Sequence, residues 1–426
     1  MTDPAAAAAT AHRLYWGRVL SATLRMARDV DIAEEATADA FLLALQTWPE
    51  RGVPDSVEAW LLTAARRRAI DRIRRLVRFR ERVPTLATDA AVTATDVGHA
   101  VVDSPVVDDD ELRLVVLCCH PAIDQEAQVA LTLRLGCGVP TASIAAAFLV
   151  STPTMAARLT RAKHRIASAG AGIDLPDDVA VEERMPAVRR TLHLTYTMGH
   201  TAGSGAALRD DDLAAHAMRL ARSLHALRPD DTESAGLLAL VLLTEARAAG
   251  RIPVPGTQVL LADADRAQWD VALIAEGLEI LDQAAGSGAG PLVLQAAIAA
   301  DHARAPTFEA TDWGRVVHHY DALLLAEPSP TIAIGRCVAL SYLAGPAAGL
   351  ADLDEVLELV DLSGYPYAHA ARAQLLERLE RMDEAAAAWV AAAGTARTDA
   401  ERSWFEERSI ATHRGPPCGE PARRGS

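Results

Sequence analysis

With 426 residues, half of them hydrophobic but only 4% aromatic, the chain is long enough for roughly two to four domains with cores of their own. Alanine is abundant and runs of Val, Ile, Thr or Tyr are scarce, which favours closely packed helices over sheets, so the expected fold class is all-α. The net charge of −15 does not exclude a nucleic-acid partner, because it is unevenly held.

Residues 1–83 carry 14 basic and 11 acidic side chains, and residues 84–112 carry none and seven. Residues 113–170 carry six and two, and residues 171–426 carry 22 and 37. Two mildly basic modules are therefore joined by an acidic segment and followed by a strongly acidic remainder. The five cysteines (118, 119, 137, 337 and 418) lack CxxC spacing, so neither a disulfide framework nor a metal site is expected. A reducing, cytoplasmic setting follows. The opening MTDPAAAAATAHRL has no basic run ahead of an apolar core, as a signal peptide would. No apolar run reaches the ~20 residues that a membrane span needs.

In chain order, the first module (10–83) reads as a small helical bundle. A helix near Leu14–Arg28 is followed by one from Ile32 to Trp48, which Pro49, Gly52 and Pro54 break. Glu34, Glu35, Asp39, Leu42 and Gln46 form a mixed polar and apolar outer face, either simply solvated or docking another protein. Ser56 is a plausible cap for the next helix, EAWLLTAARRRAIDRIRRLVRFRER, which holds nine arginines. Leu62, Ala65, Ala69, Ile73 and Leu76 fall on one stripe of that helix, widened by Ile70 and Val77. Arg67, Arg74, Arg75 and Arg78 fall opposite, with Trp60 and Ala64 at the start of that side. Asp71 stands four residues from both Arg67 and Arg75, a pairing worth only tenths of a kcal/mol. A packed seam backed by arginines suits a rigid helix laid against a polyanion, or one facing an acidic protein.

Residues 84–110 lack helical periodicity and end in an acidic run, as an extended linker would. In the second module (111–170), a helix from Asp110 or Glu111 ends at His120-Pro121, and Asp124 caps one that stops at Gly136. Pro140 starts a short helix through Phe148, Leu149-Val150-Ser151 turns, and Thr152 caps the next helix with Pro153 at its first position. On that helix Met155, Leu159, Ala162 and Ile166 form a narrow apolar stripe. Thr154, Ala157, Arg158, Arg161, His164 and Arg165 form the opposite face. Two short helices and a tight turn, the second helix bearing arginines, predict a helix-turn-helix whose second helix enters the major groove. An ordinary helical hairpin has the same outline.

Both modules, in this order, resemble the extracytoplasmic-function sigma factors of the sigma-70 family. DIAEEATADAFLLALQTWPE resembles the region-2 helix that grips the polymerase clamp, which implies that Glu34, Glu35, Asp39, Leu42 and Gln46 bind RNA polymerase. EAWLLTAARRRAIDRIRR resembles the region-2 helix that melts and reads the −10 element, which implies DNA contacts from Trp60, Arg67, Arg68, Asp71, Arg74, Arg75 and Arg78. GVPTASIAAAFLVSTPTMAARLTRAKHRI is similar to the region-4 helix-turn-helix that reads the −35 element. There the family often has Ser, Thr, Arg, Arg-Ala and a basic residue, matched here by Ser151, Thr154, Arg158, Arg161-Ala162 and Lys163. The −35 set implied by the resemblance is Thr152, Thr154, Ala157, Arg158, Arg161, Lys163 and Arg165. Ala156 and Ala157 replace frequent Lys and Ser, and Arg67 replaces a frequent Asn, so neither promoter element can be copied across.

The remainder (171–410) reads as helices with Gly/Pro breaks: Pro186–Met198, Leu213–Leu227, Glu233–Ala249, Arg266–Ala285, Leu292–Ala303, Trp313–Ala326, Thr331–Leu343, Ala347–Leu359, Pro366–Arg378 and Asp383–Ala393. The last pair resembles a tetratricopeptide-type repeat: Ala370, Ala371 and Ala373 allow close approach, Leu375, Leu376 and Leu379 pack, and Asp383-Glu384-Ala385 opens the partner helix. This resembles the extension of a sigma subgroup in which helical repeats regulate the factor in cis. Such repeats imply a protein or peptide partner besides core polymerase and promoter DNA. Residues 411–426 read as a disordered tail.

GHTAGSGA (199–206) and GSGAG (286–290) lack the GK[ST] ending of a phosphate loop, and Ser204 is not in a GxSxG elbow. His318-His319 lack HExxH spacing, and Cys118-Cys119-His120 is expected to pack or cap a helix end. Trp269, Trp313, Trp389 and Trp404 are expected core anchors. No catalytic pair, metal set or cofactor motif emerges, so a non-enzymatic sigma factor is expected. The competing readings are a helix-turn-helix regulator that never joins polymerase and an enzyme concealed in the C-terminal region.

Overall fold

The computed structural model describes residues 3–82, 110–148, 150–169, 178–201, 209–251, 259–284 and 289–414. Most of the expected linker, residues 202–206 and 286–288 of the glycine-rich segments, and residues 415–426 lie outside this set. Every regular element among the described residues is helical. The chain divides into two compact units, Met1–Thr195 and Tyr196–Ser426.

In the first unit, α1 (Pro4–Ala27) opens with Asp3 accepting from Ala5 N and ends on left-handed Arg28. It begins ten residues earlier than the sequence pattern suggests, because the alanine run is a strong helix former and Ala8 and Ala11 are buried. Asp29 caps α2 (Val30–Arg51) by accepting from Ile32 N at 2.9 Å. Pro49 does not break α2; it lies in the last turn, so the bond its missing N–H forgoes is close to the helix end, and Gly52 at φ 81° ends the helix. With α3 (Val57–Arg82), these helices enclose Trp16, Phe41, Trp48, Leu61 and Ala65.

The buried side of α3 is centred on Leu61, Ala65 and Ala69, and Ala64 turns inward with them. This corrects the stripe drawn through Leu62 by a small rotation. Beyond Ile73 the seam runs out of partners, leaving Leu76, Val77 and Phe79 exposed.

The second module comprises α4 (Asp110–Cys118), α5 (Gln125–Leu135), α6 (Thr141–Ala147) and α7 (Thr152–Ser168). Asp124 caps α5 by accepting from Ala127 N at 2.8 Å. The cap of α7 is Ser151, not Thr152: the Ser151 hydroxyl accepts from Thr154 N at 3.3 Å, which shifts Thr152 and Pro153 one place into the helix. Cys118 and Cys119 are buried, and His120 Nδ1 accepts from Ala122 N at 3.0 Å, closing the turn after α4.

The two modules pack directly on each other. Trp16 Nε1 donates to Leu135 O at 3.1 Å. Gly17 comes so close to Gly136 that a Cβ there would stand 2.5 Å from its carbonyl oxygen. Gly138, at φ 67°, faces the Trp16 ring. The first part of α8 (Asp178–His200) belongs to the same unit, with Arg184 donating to Val116 O at 3.2 Å and the Cys119 thiol to Thr191 Oγ1 at 3.4 Å.

The second unit consists of α9 (Asp211–Leu227), α10 (Thr232–Glu245), α11 (Ala248–Arg251), a 3-10 turn (Arg266–Gln268), α12 (Val271–Ala284), α13 (Pro291–Arg304), α14 (Trp313–Ala326), α15 (Pro330–Leu343), α16 (Pro346–Leu359), α17 (Pro366–Arg378), α18 (Met382–Thr395) and α19 (Asp399–Arg414). Successive helices stack. Ala371, Leu375 and Leu376 of α17 join one core with α15 and α16, while Ala370 and Ala373 join a second with Trp389, Trp404 and Phe405. A helix apolar on two sides needs neighbours on both, which is the packing logic of a repeat array. Helix α19 does not stand out in the sequence pattern, and it runs into the stretch expected to be a tail. Buried Trp404 and Phe405 stack around Trp389 and hold it down.

Candidate nucleic-acid interface

The arginine face of α3 stays open. Arg67, Arg74, Arg75 and Arg78 are exposed, as is Asp71, and Arg68 is half-buried. Trp60 is instead half-buried and packs edge-on against Trp48 at 5.6 Å between ring centres, so in this conformation it anchors the bundle. Arg72 turns back to α2, where it pairs with Glu35 and, at 3.2 Å, with Asp39. That clip fixes the rotation of α3 and leaves the other arginines facing outward. Phe79, 66% exposed beside Arg78, is an aromatic that the sequence pattern alone did not single out; an unburied ring amid cations can stack on an unpaired base.

In the second module α6 and α7 cross at 104°, within the range of about 90–120° for a helix-turn-helix. Met155, Leu159 and Ala162 are buried, while Thr152, Thr154, Ala157, Arg161 and Arg165 are exposed along the outer side of α7. Arg158 is half-buried and pairs with Glu126 at 2.6 Å. Lys163 departs from the expected set: it points to α2, pairing with Asp31 and, at 3.2 Å, with Glu34. Burial alone would lower its ammonium pKa, but these two carboxylates outweigh burial and hold it above the ordinary 10.5.

The outer side of α2 is divided in the same way. Glu34 is only 14% exposed, because Arg134 Nε reaches it at 2.7 Å beside Lys163. Glu35 and Asp39 hold Arg72. Leu42, 55% exposed, and Gln46 remain free-facing, joined by Leu45 at 48%, which was not among the expected residues. Two exposed leucines three residues apart were the available signal. Asp31 and Arg134 carried none, since their roles depend on partners 132 and 100 residues away in the chain.

Among the described residues no cluster of three or more His, Cys, Asp or Glu side chains could hold a metal. No single described helix is long and apolar enough to cross a membrane.

Comparison with known proteins agrees with this geometry. Residues 12–79, the α1–α3 bundle, match sigma-70 region 2, and residues 184–285 match a family of unknown function, DUF6596. An uncharacterized protein of Rhizobium meliloti (strain 1021) is 39% identical over 390 residues, 91% of this chain and 92% of its own length. The crystal structure of yeast Tom70 aligns over 92% of this chain and 82% of its own, at 12% identity and a TM-score of 0.33. The chain belongs to one family with the Rhizobium meliloti protein, and the sigma-70 region 2 match over α1–α3 supports a sigma-type role in transcription.

Proposed function

We propose that the protein is a sigma factor of the extracytoplasmic-function type, which binds core RNA polymerase and directs initiation at promoters carrying −10 and −35 elements. The observation that carries this reading is the region 2 bundle with the arginine face of α3 turned to solvent. On this reading Arg67, Arg68, Arg74, Arg75 and Arg78 engage the −10 DNA by phosphate contacts, with Asp71 and Trp60 beside them. Thr152, Thr154, Ala157, Arg158, Arg161 and Arg165 engage the −35 major groove through α7.

Leu42, Leu45 and Gln46 offer polymerase an open apolar and polar patch. Glu34 and Lys163, engaged with each other, become available to polymerase and DNA only when the two modules separate. The C-terminal helical stack, similar to tetratricopeptide arrays, regulates this step in cis through a protein or peptide partner.

Transcription in vitro with purified core polymerase on a genomic fragment library tests the reading. Defined start sites that disappear with R74A/R75A support it, whereas duplex binding without core association or initiation refutes it in favour of a free-standing regulator. A chain ending at His200, the end of α8, tests regulation in cis. Raised promoter output marks the extension as inhibitory, and unchanged output removes the regulatory role.

A further inference from the structure

The second unit is acidic overall, with 19 arginines against 32 acidic residues from position 196 onward, yet its interior collects cations. Arg247, in the bend between α10 and α11, lies within electrostatic reach of Arg251, Arg266, Tyr196 and Tyr320. Its Nε donates to Leu243 O of α10 at 3.1 Å, and no carboxylate among the described residues is paired with it. Burial lowers this guanidinium to about 10. His200 and His302, held neutral at about 3 by burial and then by neighbouring arginines, face the same cluster.

Part of the cluster has a structural explanation. Arg251 donates to His200 O at 2.9 Å, and Arg266 donates to His302 O at 2.6 Å and Ala305 O at 2.7 Å, capping the end of α13. Arg209 pairs with Glu245, which also accepts from the Tyr196 hydroxyl at 3.1 Å. Glu401 is occupied by the Tyr367 hydroxyl and the backbone amides of Arg397 and Thr398.

What remains is one-sided. Arg209 Nη1, Arg266 Nη2 and His302 Nδ1 are buried with no partner, and Arg247, half-buried, has no counter-charge among the described residues. Buried polar groups ordinarily find partners, and a cation drawn away from water without a counter-ion is disfavoured. Water can satisfy hydrogen bonds there but cannot neutralise the charge; an oxyanion does both, and forked guanidinium donors match its geometry.

We propose that the interior of the second unit around Arg247 is a binding site for a small molecule bearing a phosphate or carboxylate group, enclosed by Tyr196, Arg209, Arg251, Arg266 and His302. The site stands on the interior of this unit and goes beyond the transcription reading, so each can fail without the other.

The test is calorimetric and thermal titration of the full-length protein with inorganic phosphate and, separately, citrate, each against sodium chloride at equal ionic strength. A saturable rise in Tm with phosphate assigns a phosphorylated ligand, and one with citrate assigns a carboxylate. R247M should weaken the binding at least tenfold while leaving the unliganded protein folded. Should R247M fail to fold, R247K, which keeps the charge but loses the fork, should show the same direction of loss. No saturable effect of either anion beyond chloride, or equal binding by the folded Arg247 variant, overturns the proposal.

Discussion

Glu34 and Arg134 join the two modules of the first unit, and removing either should loosen that seat by an amount that follows from their surroundings. Glu34 takes Arg134 at 2.7 Å and Lys163 at 3.2 Å. At an effective dielectric of about 20, each close pair gains ~4 kcal/mol of attraction before desolvation is counted. Fully exposed pairs net ~0–1 kcal/mol, whereas stripping one partner from a fully buried pair costs about 3–5 kcal/mol. These side chains are 14% and 26% exposed, between the two regimes, so a coupling of ~1–2 kcal/mol is expected. The corresponding rise in the open population is about 5- to 30-fold.

The assay is a double-mutant cycle of E34A and R134A in the full chain, read by hydrogen exchange at the amides of α5, which reports local opening free energy. R134A also removes a cation–π contact with Trp16 at 5.7 Å, which the cycle subtracts. If the two substitutions add to within ~0.3 kcal/mol, the ion pair contributes nothing and the seat rests on its other contacts, those of Trp16, Gly17 and Lys163.

Other outcomes follow from the same geometry. G17A, whose Cβ would meet Gly136 O at 2.5 Å, should destabilise the first unit by about 1–3 kcal/mol in thermal unfolding; an unchanged Tm would mean that α1 and α5 do not approach this closely. Replacing Arg74 and Arg75 by alanine should lower promoter affinity and reduce the slope of log K against log salt by ~1 for each phosphate no longer neutralised, measured by fluorescence anisotropy. Because the folded-state pKa of Lys163 is raised, its contribution is fully present below the ordinary lysine pKa and is lost as pH rises through the folded value; base titration of exchange at α5 should show loosening only above about pH 10.5. His200 and His302 behave oppositely. Their lowered folded values mean that stability is present above about pH 6.5 and falls on acidification toward about 3, by at most ~1.4 kcal/mol per unit for each, measured by urea unfolding against pH.

The fold class, the cap at Asp124, the arginine face of α3 and the turn between α6 and α7 were all legible in the chain, because each depends on residues within one or two helical turns. The place of Trp60 could not be read from the chain for the opposite reason: whether it faces solvent or Trp48 depends on a rotation of α3 that the pairing of Arg72 with Glu35 and Asp39 of α2 fixes. The polar outer face of α2 was visible, but not its division into Glu34 facing the second module, Glu35 and Asp39 holding α3, and Leu42 and Gln46 left open.

Only the tertiary structure set Lys163 against Asp31 and Glu34, and drew Arg247, Arg251 and Arg266 together inside an acidic unit. Helical periodicity assigns a residue to a side of its own helix; what stands on the far side of the gap is decided by how the helices stack. Local hydrogen bonding and spacing therefore determined which helices form and which faces carry charge. Packing between distant helices decided which of those charges meet solvent, which meet each other, and which are left buried with their donors unsatisfied.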